Sequence, residues 1–272
     1  MALTGLFLCT FLIGHLLGNL QLLQGGEEGK RAFNEYAAFM AHNPFIKVLS
    51  YLTYFSILFH AIDGIALAVQ NKKARPVKYA HTRPNENSSP IARNMAILGT
   101  LILVFICWHM ASFWYKAKIS SDALPLHRVE ISDPMNPAHK EYVYLTTTGN
   151  YIPVESEGIE IRNKTEIYNK EVNLKIADGY KDLHSLTVSF FGQDRTSAGF
   201  PANPNALVMV ILYVVSMAVL AFHLWHGFAS AFQSLGLRHK KYTPAIHFIG
   251  KVFSIVVPVL FALIPVYLFL NK

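Results

Sequence analysis

The sequence predicts an all-α integral membrane protein of five transmembrane helices with a small β-containing insertion on one side. Three observations carry this. Over 272 residues the composition is 52% hydrophobic and 15% charged, with a mean hydropathy of +0.29, too apolar for an ordinary soluble domain. Five apolar runs are each long enough to cross roughly 30 Å of hydrocarbon at about 1.5 Å per residue. A single long polar segment, 117–203, resembles soluble protein. The formal charge of +7 does not mark a nucleic-acid partner, because the basic residues collect in short loops between the apolar runs. Cys9 and Cys107 lie in different runs, without a CxxC pair, which argues against a disulfide or an iron–sulfur cluster within the chain.

The spans fall near 2–24, 45–70, 92–116, 204–236 and 244–270. The first starts almost at Met1, yet it lacks a basic leader and a small-residue cleavage site, and its distal half carries a histidine; it reads as a retained helix. A 25–44 loop joins the first two spans. Lys72, Lys73, Arg75, Lys78, Arg83 and Arg93 lie between the second and third spans, and Arg238, Lys240 and Lys241 between the fourth and fifth. By the positive-inside rule both loops are cytoplasmic, which puts the N-terminus inside and the 117–203 insertion outside. Within the insertion, Glu141–Thr147 and Gly158–Arg162 read as strands between Gly, Asn and Pro turns. The tripeptide Asn163-Lys-Thr matches a glycosylation acceptor by composition alone and carries no weight. The resulting domains are 1–116 with the first three spans, the 117–203 insertion, and 204–272 with the last two.

Four histidines sit deep in the first four spans: His15, His60, His109 and His223. Ionisable side chains at membrane depth are costly and usually face a bundle interior. A lone intramembrane histidine serves equally well as an interhelical hydrogen-bonding group, but four on separate helices point to ligation. His60 lies about ten residues, and His223 about thirteen, before the cytoplasmic ends of their spans, so both stand roughly 15–20 Å from the inner surface. His109 and His15 lie farther out, roughly 24 Å from the inner side. Two His/His pairs at two depths suit two six-coordinate haems in a four-helix bundle, each iron taking an axial ligand from each of two facing helices. A bare zinc site instead gathers several ligands at one place, often with a carboxylate or thiolate.

Neighbouring residues have weaker readings. Gly14, Gly18, Gly64 and Gly227 near the histidines leave room for a porphyrin, although small residues equally allow close helix packing. His226, one turn past His223, competes with it for the inner iron. Asp63 lies one turn after His60 and is a candidate partner for a histidine or a haem propionate, or a proton relay. Arg93, at the mouth of the third span, is a candidate propionate partner, with interfacial anchoring as the plainer role. Glu35 and His42 are positioned to exchange protons with a quinol, though outer-loop polar residues are usually only solvated.

With these residues in view, the chain resembles the cytochrome b membrane subunit of succinate:quinone oxidoreductases, the single-chain, five-helix, di-haem type shared by succinate dehydrogenases and fumarate reductases (respiratory complex II). The resemblance covers all five spans. It rests on Phe11-Leu-Ile-Gly-His15-Leu-Leu-Gly-Asn19, Phe59-His60-Ala-Ile-Asp-Gly64-Ile, Cys107-Trp108-His109, and the run from Phe222-His223-Leu-Trp-His-Gly227 to Gly236, with a further similar stretch at 33–45. In the family the fourth-helix ligand directly follows Phe, which selects His223 over His226. The resemblance implies two haem b groups, held by His60 with His223 (inner) and His15 with His109 (outer). It implies a flavoprotein (FAD) subunit and an iron–sulfur subunit as partners, with the dicarboxylate active site on another subunit, and it allows a dimer of such heterotrimers. Electrons then pass between the iron–sulfur subunit and a membrane quinone, menaquinone or another, in a bacterial inner (cytoplasmic) membrane. With menaquinone, succinate oxidation draws on the membrane potential, worth roughly 2.3 kcal/mol per charge per 100 mV, which two stacked haems can tap.

The chain departs from the family in two ways. Its 117–203 insertion is much longer than the usual outer loop. It also starts within the apolar helix, where relatives have a short basic segment first, so either the start lies upstream or that segment has been lost. The alternative readings are a haem b subunit of another respiratory complex, such as a nitrate reductase or hydrogenase, and a non-haem transporter or channel. The latter predicts broken helices and an inverted repeat, which the sequence does not display.

Overall fold

The computed structural model describes residues 1–77, 86, 88–120, 124–132, 140–192 and 199–271. Along the chain, helix α1 (Ala2–Leu20) continues into a 3-10 turn, Gln21–Leu23. Then come α2 (Gly26–His42), α3 (Pro44–Lys73), the short α4 (Pro90–Arg93) and α5 (Met95–His109), which widens into a π-helix over Met110–Tyr115. Six strands follow: β1 (Arg128–Ser132), β2 (Lys140–Leu145), β3 (Tyr151–Pro153), β4 (Ile159–Arg162), β5 (Glu166–Asn169) and β6 (Leu174–Asp178). Helices α6 (Leu183–Phe191), α7 (Ala206–Ser234) and α8 (Thr243–Leu270) complete the fold.

Five of these segments are long and apolar enough to cross a membrane: Ala2–Leu23, Pro44–Lys73, Met95–Lys118, Ala206–Ser234 and Thr243–Leu270. The shortest has 22 residues, which at about 1.5 Å per residue is about 33 Å. Their outer faces carry large apolar side chains, with Phe45 and Phe248 each 68% exposed and Val104 64%. A water-facing surface rarely bears so continuous an apolar face, whereas lipid accepts it. Sequence signals set the ends. Pro44 opens α3 where a missing N–H costs nothing, and Ser89 caps α4 by accepting from the Ala92 N–H at 3.2 Å, with Pro90 next in line. Lys78 and Arg83, used above for orientation, lie outside the described residues.

The chain divides into two compact units. The first gathers Met1–Asn19, Pro44–Trp108 and Val210–Pro265, the greater part of the five long helices. In it the start of α1 meets the C-terminal part of α3, with the Met1 ammonium 2.6 Å from an Asp63 carboxylate oxygen. Helices α5 and α7 join through Phe105 and Trp108 against Tyr213, with ring centroids 5.0 and 5.2 Å away. Helices α7 and α8 come so close that a β-carbon on Gly250 would collide with the Phe228 ring.

The second unit gathers Leu20–Asn43, His109–Met209 and Val266–Lys272. It holds two antiparallel three-stranded sheets in the orders β1-β2-β3 and β4-β5-β6. Arg162 and Thr165 close the β4–β5 turn by a hydrogen bond of 3.2 Å, with Asn163 and Lys164 both at positive φ, the geometry that hairpin twist favours. Leu126, Tyr144 and Ile167 form the apolar core, flanked by Ile152, Val154 and Ile159.

Residues 26–42, expected as a loop, form a 17-residue helix in this unit. Phe33, Tyr36, Ala37 and Met40 recur at helical spacing on one face of it, and polar contacts add to that stripe. Glu27 and Glu28 suit the positive end of the helix dipole. Lys30, Phe33 and Asn34 turn inward. Lys30 pairs with Asp182 at 3.2 Å and donates to the Arg128 carbonyl at 2.9 Å. The Asn34 amide donates to Asp182 at 3.0 Å and its oxygen accepts from the His184 N–H at 2.9 Å. Asp182 also caps α6 through the Ser185 N–H at 3.0 Å. Burial alone would raise the Asp182 carboxyl, but Lys30, Asn34 and Ser185 together hold it below its ordinary range.

Candidate functional site

The four deep histidines reach the structure on α1, α3, α5 and α7. In the first unit, the His60 and His223 imidazoles approach edge to face, with centroids 6.2 Å apart and planes at 70°. Two imidazoles on opposite sides of one iron need centroids about 6.3 Å apart, from metal–nitrogen bonds of about 2.0–2.1 Å and about 1.1 Å from nitrogen to ring centre. An ordinary edge-to-face ring pair falls in the same range, so the hydrogen bonds must distinguish the two.

Thr4 supplies the contact on one side. Its hydroxyl lies 2.9 Å from the Met1 carbonyl and 3.3 Å from His60 Nδ1. A proton held on Nδ1 there would leave the Nε2 lone pair for a metal, the tautomer in which metal-bound imidazoles are commonly held. On the other side, His223 Nδ1 is buried and has no hydrogen-bond partner among the described residues. A buried polar atom left unpaired costs about 1–3 kcal/mol. Gly5 of α1 packs against His60, and Gly99 of α5 lies beside His223. Gly227, one turn past His223, adjoins open space. The donor set, its spacing and the neighbouring small residues fit a bis-histidine haem. Among the described residues no group of three or more His, Cys, Asp or Glu gathers to hold a bare ion.

His15 belongs to the same unit. Its ring stacks on Phe11 at 5.3 Å and lies 5.7 Å from Phe261 of α8. The Asn19 amide donates to the His15 carbonyl at 2.7 Å and lies 3.4 Å from its Nδ1, too long a contact to assign a tautomer. His109 belongs to the second unit, as the last residue of α5, and its ring lies 5.4 Å from Phe113 in the π-helix that follows. Such π-helical widening recurs at functional positions.

The remaining candidates have local partners. His226 Nε2 lies 3.3 Å from Ser230 Oγ in its own helix. Asp63 is engaged by the Met1 ammonium. The exposed Arg93 guanidinium donates to the Ser88 carbonyl. Glu35 pairs with Arg31 at 2.7 Å on the surface of α2, and the exposed His42 donates to the Ala38 carbonyl at 2.8 Å. Neither Glu35 nor His42 is drawn into a cluster with a deep histidine of its own unit.

Comparison of the chain with protein-family models, with curated proteins and with solved structures finds no match in any of the three. The functional reading therefore rests on the residues themselves. Thr4, Gly5 and Gly99 escape sequence reasoning. Thr4 and Gly5 are apolar-helix residues with no charge or motif to mark them, and their role depends on a ring 56 residues from Thr4.

Proposed function

We propose that the chain is the di-haem cytochrome b membrane anchor of a succinate:quinone oxidoreductase, carrying electrons between an iron–sulfur subunit and a membrane quinone. The observation that carries this is the His60–His223 pair, at 6.2 Å, with the Thr4 hydroxyl 3.3 Å from His60 Nδ1. His60 and His223 hold the inner haem, and His15 and His109 the outer one. The second pair rests on the sequence alone, which sets His15 and His109 at similar depths along their helices. When bound, each haem supplies reversible one-electron transfer.

The chain's own residues contribute position and medium. Thr4 fixes the His60 ring so that Nε2 faces the iron, which raises the basicity of the ligand. The apolar walls of α1, α3, α5 and α7 keep water from the metal, and a dry site lets nearby charge tune its potential. The basic loops about Arg93 and Arg238 lie on the cytoplasmic side, where the flavoprotein and iron–sulfur partners dock, and the β unit lies outside.

A reduced-minus-oxidised visible spectrum with pyridine-haemochrome quantitation tests this on the wild type and on His223→Ala and His15→Ala. Two b haems per chain are expected, with each variant losing one. A folded wild type without haem overturns the proposal and leaves the transporter reading.

A further inference from the structure

The hairpin between α7 and α8 has the chemistry of a lipid headgroup site. A shallow, open recess lies there, lined by Gln233, Arg238, Thr243 and His247 on its polar side and by Phe232 and Ile246 on its apolar side. The charge around it is one-sided: from Arg195 to Lys272 the chain contains no Asp or Glu, while Arg238, Lys240, Lys241 and Lys251 all fall in this stretch. Among the described residues, none of these four cations is paired with a carboxylate. Lys241 and Lys251 rest instead over the rings of Tyr242 and Trp225, at 5.5 and 5.7 Å, the aromatic–cation pairing found at membrane interfaces. Lys251 lies eight residues into α8, about 12 Å from its start, a depth from which a lysine amine reaches back to the interface along its own stem.

We infer that this recess binds one anionic phospholipid, its phosphodiester held by Arg238 and His247 with Gln233 and Thr243 as neutral hydrogen-bonding groups. The inference rests on reading α7 and α8 as membrane-spanning. The acyl chains then run along the exposed Phe248, Ile249 and Val252 of α8. Basic pockets between spanning helices on the cytoplasmic side take such headgroups. The mixture of walls decides against an acidic protein surface as the occupant. A protein partner would meet the charged loop, whereas here the cations continue into the span beside side chains that only lipid leaves exposed.

The test is native mass spectrometry of the full chain, purified with its accompanying subunits and offered phosphatidylglycerol or phosphatidylcholine in equal amount. One phosphatidylglycerol retained at least tenfold over phosphatidylcholine is expected. Arg238→Gln should lower that preference at least fivefold, while Lys72→Gln, in the last turn of α3, should leave it unchanged; haem content, read on the same samples, reports folding and the separate haem proposal. Millimolar inorganic phosphate should not displace the lipid, because the acyl chains contribute to its binding. Displacement by phosphate reduces the site to a simple anion site and overturns the lipid assignment. Equal retention of the two lipids, no effect of Arg238→Gln, or photo-crosslinking from Thr243 into a protein subunit would each overturn it as well.

Discussion

Gly5 passes so close to His60 that an added β-carbon would stand 3.1 Å from the imidazole Cε1. Alanine is a better helix former than glycine by about 1 kcal/mol, so Gly5→Ala should leave α1 intact or more stable. The ring must nevertheless move by a few tenths of an ångström. On the di-haem proposal, the expected result is a chain that inserts and folds normally but holds one haem about tenfold more weakly, the size of effect seen when metal-site support is disturbed. Haem quantitation during detergent washing reads this directly; unchanged retention would detach Gly5 from the site.

Thr4→Val removes the hydroxyl beside His60 Nδ1 while keeping the shape of the side chain. The ring loses its orienting hydrogen bond and the ligand some basicity. Redox titration should show the midpoint of one haem moved and that of the other unchanged, with roughly tenfold weaker retention of the first. Thr4→Ser, which restores the hydroxyl, should recover both properties.

In the second unit, Lys30→Met leaves Asp182 buried and unpaired, 2% exposed. Removing one partner of a buried ion pair costs about 3–5 kcal/mol. Hydrogen exchange of β1 and α6 amides in the full chain should accelerate accordingly, and Lys30→Met with Asp182→Asn should recover part of the loss. If the double variant exchanges faster than the single one, the Asp182 contacts to Asn34 and Ser185 matter more than the pair.

His127 gives this unit a pH dependence. Its ring is fully buried, and its Nδ1 lies 3.3 Å from the Asn34 amide. Burial first, and the nearby Lys30 charge second, push the imidazole from its ordinary 6.5 down to about 4. The unfolded chain therefore takes up the proton before the folded one does. Stability is complete above about pH 6.5 and drains away as the pH falls towards 4, by up to about 3 kcal/mol. The amides of β1 and α6 should lose protection between pH 7 and 4.5 after correction for intrinsic exchange. In His127→Gln this loss should shrink to what the carboxylates alone contribute.

The five apolar segments and the place of each histidine along its own helix were legible in the sequence. Run length, turn residues and rise per residue are properties of the chain read in one dimension. Two of the strands were legible for the same reason, through alternation and their flanking turns. Helix α2 was not, although Phe33, Tyr36, Ala37 and Met40 recur at helical spacing, because the segment is too polar to stand out among the spans and its buried side also carries Lys30 and Asn34, held by Asp182 from far along the chain. The approach of His60 to His223, the contact of Thr4 with His60 and the tight passage of Gly5 likewise belong to tertiary structure alone. Each depends on the rotation of one helix about its axis against another, which is set by packing and hydrogen bonding between residues that no local period connects.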